Sequence, residues 1–278
     1  MNLLDKINQF LLLFVDTLRR LGNWRIWAVL LGYLALHWLV LYGFFRYVST
    51  PFYGWLTPWV DFLGGDRASA FSHYPQHFFY LGRYAGWSKL LVSLLVEGPV
   101  LGLVATMFWR SFTNAPLEGP RRSMVARWFN LVLAWAVLNG LMMAVGHFLP
   151  TLASPWLNGP RRVLMFSYLV LPFFFALVFA IMYFALPRAA VLGENALVAI
   201  GRSVVQFVHR PFLAFFAACL ILSVPMFLNA VTSRPASIID GFRPELIYWL
   251  LSASLVFEMV ANFFWMGTAV RFLIEPEK

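Results

Sequence analysis

An all-α fold of six membrane-spanning helices is what this sequence predicts, and three observations predict it. Hydrophobic residues make up 61% of the 278 and charged residues only 12%, where a soluble chain is roughly 45–50% apolar and about 25% charged. Six stretches stay apolar over the ~20 residues that a ~30 Å hydrocarbon core requires. None of them alternates as a barrel strand would, so each must satisfy its backbone internally, as a helix.

Residues 1–20 come first, as an amphipathic helix. Leu3, Leu4, Ile7, Phe10, Leu11, Phe14, Val15 and Leu18 recur at helical spacing, while Asp5, Lys6, Asn8, Gln9, Asp16, Arg19 and Arg20 take the other face. A helix of this kind ahead of a span rests in the headgroup plane or docks on a partner. The apolar run Phe10 to Val15 is short and is followed by Asp16, Arg19 and Arg20, so no cleavable signal is expected. Residues 21–278 then read as a single transmembrane domain. Its spans fall near Trp27 to Tyr47, Leu90 to Trp109, Phe129 to Leu149, Val163 to Leu186, Phe212 to Val231 and Ile247 to Val270.

Orientation follows from the basic residues beside the loops. Lys6, Arg19, Arg20 and Arg25 precede the first span; Arg110, Arg121, Arg122 and Arg127 lie between the second and third; Arg188, Arg202 and Arg210 lie between the fourth and fifth; Arg271 and Lys278 follow the sixth. With this set inside, both termini are cytoplasmic, and a plasma membrane of the bacterial inner-membrane kind is expected. The 21 basic residues outnumber the 12 acidic ones, but they are scattered at span ends and form no stripe with interleaved aromatics, so nucleic acid is not an expected partner. The longest connection, residues 49–87, is rich in Trp and Tyr and is broken at Gly64-Gly65-Asp66. It reads as an outer aromatic hairpin at headgroup level. Residues 193–210 read as an inner amphipathic helix, set off by Pro187 and Pro211, with Glu194 favouring its N-terminus.

The stretch "LPRAAVLGENALVAIGRSVVQFVHRPFLAFFAACLILSV" resembles part of the membrane domain found with glycerophosphodiester phosphodiesterases and in related bacterial membrane proteins. Gly193, Glu194, Ala196, Leu197, Arg202 and Ser203 carry the resemblance, and Val204 stands where that group has an aromatic residue. The resemblance implies a six-helix inner-membrane domain of unassigned activity and supplies no catalytic residue.

Chemistry has few places to sit. Cys219 is the one cysteine, which excludes intramolecular disulfides, CxxC redox chemistry and multi-cysteine zinc sites. Glu97 and Glu258 lie within spans, where a charged carboxylate costs roughly 2.5–3.5 kcal/mol on insertion scales. Ser93 and Ser254 precede them at the same offset, and Arg110 and Arg271 follow at the same offset, a pattern that suggests a parallel repeat. Ser254, Glu258 and Asn262 form one stripe, while Gly98 and Gly102 make a GxxxG beside Pro99. A midplane site of Glu97, Glu258, Ser93, Ser254, Asn139 and Asn262 for a proton, a cation or an amine is one expectation; neutral carboxyls acting as interhelical hydrogen-bond glue are the other. His73 and His77 have i, i+4 spacing, but Pro75 opens a helix that leaves His73 outside, so no metal site is expected, and no cofactor. His37 and His147 are open to packing or pore-lining roles. Arg19, Arg20, Arg202, His209 and Arg210 are the candidate contacts for lipid headgroups. HExxH, GxSxG, Walker and GxGxxG signatures are missing. The expected function is therefore non-enzymatic: a membrane-embedded scaffold or accessory subunit contacting lipid, a protein partner or a second copy. The alternative is a transporter or ion-coupled permease component built on Glu97 and Glu258.

Overall fold

The computed structural model describes residues 3–64, 68–74, 76–115, 123–232, 235–241 and 243–274, and their secondary structure is helical throughout. In chain order the helices are α1 (Leu3–Leu18), α2 (Trp24–Phe45), α3 (Phe52–Gly64), α4 (Gln76–Val92), α5 (Gly98–Thr113), α6 (Met124–Ala153), α7 (Pro160–Met165), α8 (Leu171–Met182), α9 (Ala185–Val191), α10 (Ala196–His209), α11 (Pro211–Thr232), α12 (Pro235–Gly241) and α13 (Leu246–Ile274). Six stretches are long and apolar enough to cross a bilayer: Trp24–Phe45, Gln76–Thr113, Met124–Trp156, Pro160–Val191, Pro211–Leu228 and Leu246–Ile274. Each coincides with one expected span. The protein is thus an all-α, multi-pass membrane protein.

The second stretch differs from expectation in length. It begins at Gln76, well before Leu90, and runs for 38 residues, nearly twice the ~20 that a span requires. The region expected as one aromatic hairpin is therefore divided: α3 is a separate helix exposing Trp55, Trp59 and Phe62, and the remainder, from Gln76 on, is the start of the long helix. The Gly65-Asp66 part of the expected break, with Pro75, Arg121 and Arg122, lies outside the described residues. α1 and α10 form where the two amphipathic helices are expected.

Two long helices widen into a π turn just ahead of a proline. Ser93–Glu97 precedes Pro99, and Phe166–Val170 precedes Pro172. Proline has no N–H to donate to the carbonyl four residues back, and a π turn takes up the resulting break in register. Pro187 has a related effect on α9. It cannot reach the Tyr183 carbonyl, and the indole of Trp265 donates to that oxygen instead, at 3.0 Å.

The chain packs as two compact units: residues 1–29, 94–223 and 261–278 form the first, and residues 30–93 and 224–260 form the second. In the first unit Gly98 and Gly102 press on α6. A Cβ at Gly98 would lie 2.7 Å from the Leu131 carbonyl oxygen, and one at Gly102 would lie 2.6 Å from Leu131 Cδ1. The GxxxG motif is therefore a contact surface between helices. Trp265 fills the space between Trp135 and Phe179, with ring centroids 5.8 and 4.6 Å away. α1 seats on this unit through Phe10 against Phe216 and Phe14 against Phe264, and Asp16 accepts from Arg271 Nε at 2.9 Å. The second unit has an aromatic core in which Phe71 meets Tyr84 at 4.5 Å and Tyr47 at 4.9 Å. Phe45 stacks on Tyr248 at 4.2 Å.

Candidate functional site

Glu97 ends the first π turn and is 2% exposed. Asn262 of α13, also buried, donates from Nδ2 to Glu97 Oε1 at 3.2 Å. This hydrogen bond lies within the first unit. Asn139 is directed otherwise: its Nδ2 donates to the Trp135 carbonyl one turn back on its own helix, at 3.0 Å. Ser93 is buried at the start of the π turn.

Glu258 has a different neighbour. It pairs with Lys89 of α4, both partly buried, within the second unit. Lys89 is a candidate-site residue that the sequence pattern conceals, because a lysine just before an apolar run looks like a flank. The signal was available: an acid within a span requires a cation or a proton. The matched offsets around Glu97 and Glu258 therefore lead to unlike surroundings, since one carboxyl meets an amide and the other an ammonium.

Beside the Lys89 pair lies a cavity of about 340 Å³, lined by His37, Lys89, Ser254, Thr232, Arg83 and apolar side chains of α2, α4 and α13. Gly82, Ala85 and Gly86 form part of its wall, and a Cβ at Gly82 or Gly86 would meet nothing within 4 Å. These glycines keep space open, whereas Gly98 and Gly102 close it. His37 is 4% exposed; its Nε2 shares a hydrogen bond with Tyr33 at 2.9 Å, and its Nδ1 has no hydrogen-bond partner. Exposed Phe79, Arg83 and Gly86 on the wall mean that the cavity opens to the outside of the unit.

The candidate headgroup residues belong to the first unit. Arg20 lies over the Phe112 ring and Arg210 over the Phe272 ring, with centroid distances of 5.4 and 4.9 Å. Arg19 pairs with Asp16 at 3.4 Å and is largely exposed. His209 Nδ1 bonds the Val205 carbonyl on its own helix at 2.8 Å. Arg202 pairs with Glu194, which also takes two hydrogen bonds from Arg188, at 3.0 and 2.8 Å. Burial opposes ionisation of Glu194, but the hydrogen bonds and charges of Arg188 and Arg202 outweigh it and hold the carboxyl below its ordinary value. Glu194 thus serves as an ion-pair hub. The first amide of α10 is met from another helix: Asn130 Oδ1 accepts from the Ala196 N–H at 3.1 Å, and Asn195 gives no side-chain cap. Ser203 secures the same face two turns on, donating to the Ile181 carbonyl at 2.7 Å and accepting from the Phe184 N–H at 3.2 Å.

α10 is mounted by small residues. Ala196, Ala199 and Ser203 are buried, while Leu197, Val204, Val205 and Val208 are exposed. α1 divides in the same way, with Phe10, Leu13 and Thr17 buried and Leu11, Leu12, Val15 and Leu18 exposed. His77 falls inside α4 and is buried; His73 lies outside that helix. His147 contacts the Phe148 ring at 5.1 Å. No family model, curated protein or solved structure matches the chain.

Proposed function

We propose that this multi-pass membrane protein is a non-enzymatic scaffold or accessory subunit, which engages lipid through α1 and α10 and associates with a protein partner or a second copy. The observation that carries the reading is the mounting of α10. Small residues fasten it to the bundle, and an aliphatic face of Leu197, Val204, Val205 and Val208 is left outward. An outward aliphatic stripe flanked by Arg202, His209 and Arg210 suits the acyl and headgroup layers together. The membrane is read as a bacterial inner membrane with both termini cytoplasmic. The resemblance to the phosphodiesterase-associated membrane domain, at Gly193 to Ser203, belongs to the same reading.

A fluorophore on Val205→Cys, in a Cys219→Ser background reconstituted into vesicles, tests this. Quenching by nitroxide-labelled lipid and protection from aqueous iodide are expected. Iodide quenching without lipid quenching would overturn the lipid contact. A second reading, a transporter or ion-coupled permease component, draws on one observation: Lys89, the partner of Glu258, lines an open cavity together with His37.

A further inference from the structure

The cavity of the second unit combines features that a packing defect does not need. Its wall is mainly apolar, with Leu41, Phe78, Ile247 and Leu251 among the lining residues. Its charged groups are unbalanced: Arg83 and Lys89 line it, and Glu258 answers Lys89. Arg83 makes no ion pair among the described residues. His37, buried, adds a ring nitrogen with no hydrogen-bond partner. Gly82 and Gly86 hold the space open where any side chain would occupy it. At about 340 Å³ the cavity is at the small end of ligand pockets, which run about 300–1,000 Å³. That suits one hydrocarbon chain better than two.

We infer that this cavity binds a single-chain anionic amphiphile, its carboxylate or phosphate held between Arg83 and Lys89 and its acyl or prenyl chain laid along Gly82 and Gly86. One ligand anion brings the set of Arg83, Lys89 and Glu258 to neutrality. A charged acceptor also strengthens the hydrogen bonds it receives from Arg and Lys. The inference stands apart from the reading of α1 and α10, whose residues it does not use.

The test is equilibrium binding of radiolabelled dodecanoate to the full chain in nanodiscs, with dodecyl phosphate, dodecanol and dodecylammonium as competitors. Saturable dodecanoate binding displaced by dodecyl phosphate, and at least tenfold less well by the neutral and cationic analogues, supports the site. The tighter of the two acids identifies the head group. Gly86→Leu, which fills open space, should abolish binding while leaving the thermal midpoint unchanged. Arg83→Gln, at an exposed position, should weaken dodecanoate about tenfold, the effect of one lost charge-assisted hydrogen bond. Absence of saturable binding in the wild type, equal competition by dodecanol, or full binding in folded Gly86→Leu would each overturn it.

Discussion

Glu194 gathers Arg188 and Arg202 onto one carboxylate at the turn between α9 and α10, and its protonation is therefore linked to stability. Because the folded protein holds this carboxyl below its ordinary value of 4.5, the contribution is complete above that value and is lost as pH falls through and below it. Thermal midpoints of wild type and Glu194→Gln, measured in detergent from about pH 7 downward, should converge in that acid window. Parallel curves would contradict the ion-pair role. Single residues were legible in the sequence when they broke a pattern. Glu97 and Glu258 interrupt apolar runs, and the Asn262 stripe pointed inward with them. Lys89 and Asn130 were not legible, because each acts on a distant segment. The Lys89 pair spans 169 residues of chain, and Asn130 caps a helix 66 residues away.

At the scale of elements, the 38-residue stretch from Gln76 to Thr113 carries two glycine pairs of opposite use. Gly98→Ala should cost about 1–3 kcal/mol, the usual penalty for overpacking, since the added Cβ would lie within 3 Å of Leu131 and Trp135. Gly82→Ala, placed in open space, should be neutral or stabilising by about 0.5–1 kcal/mol from helix propensity. Thermal unfolding of both variants in the same detergent checks this, and equal effects would show that the two pairs are not packed as described. The sequence showed the first pair as a GxxxG beside a proline. It concealed the second, because Arg83 and Lys89 interrupt the apolar run that marks a span. For the same reason the sequence predicts a start at Leu90: a charge marks the end of an apolar run, whereas Lys89 is paired and the helix extends on both sides of it.

The whole molecule was the most legible level. Six apolar runs predict six spans because backbone in lipid must be helical, and hydropathy records that requirement directly. How polar groups are shared out within the bundle depends on which helices meet, and a single sequence does not record that. At this scale the scaffold reading requires Glu97, 2% exposed and bonded by Asn262, to be out of reach of water from either side. The measurement is labelling of Glu97→Cys, with Cys219→Ser, by a membrane-impermeant thiol reagent applied from each side of reconstituted vesicles. Asn158→Cys, at an exposed position, serves as the reactive control. Silence at position 97 from both sides, reaction at position 158, and an unchanged elution profile for Glu97→Gln, whose amide oxygen still accepts from Asn262, are expected. Labelling at position 97 in the folded protein would place water beside the carboxyl and contradict the scaffold reading in favour of transport.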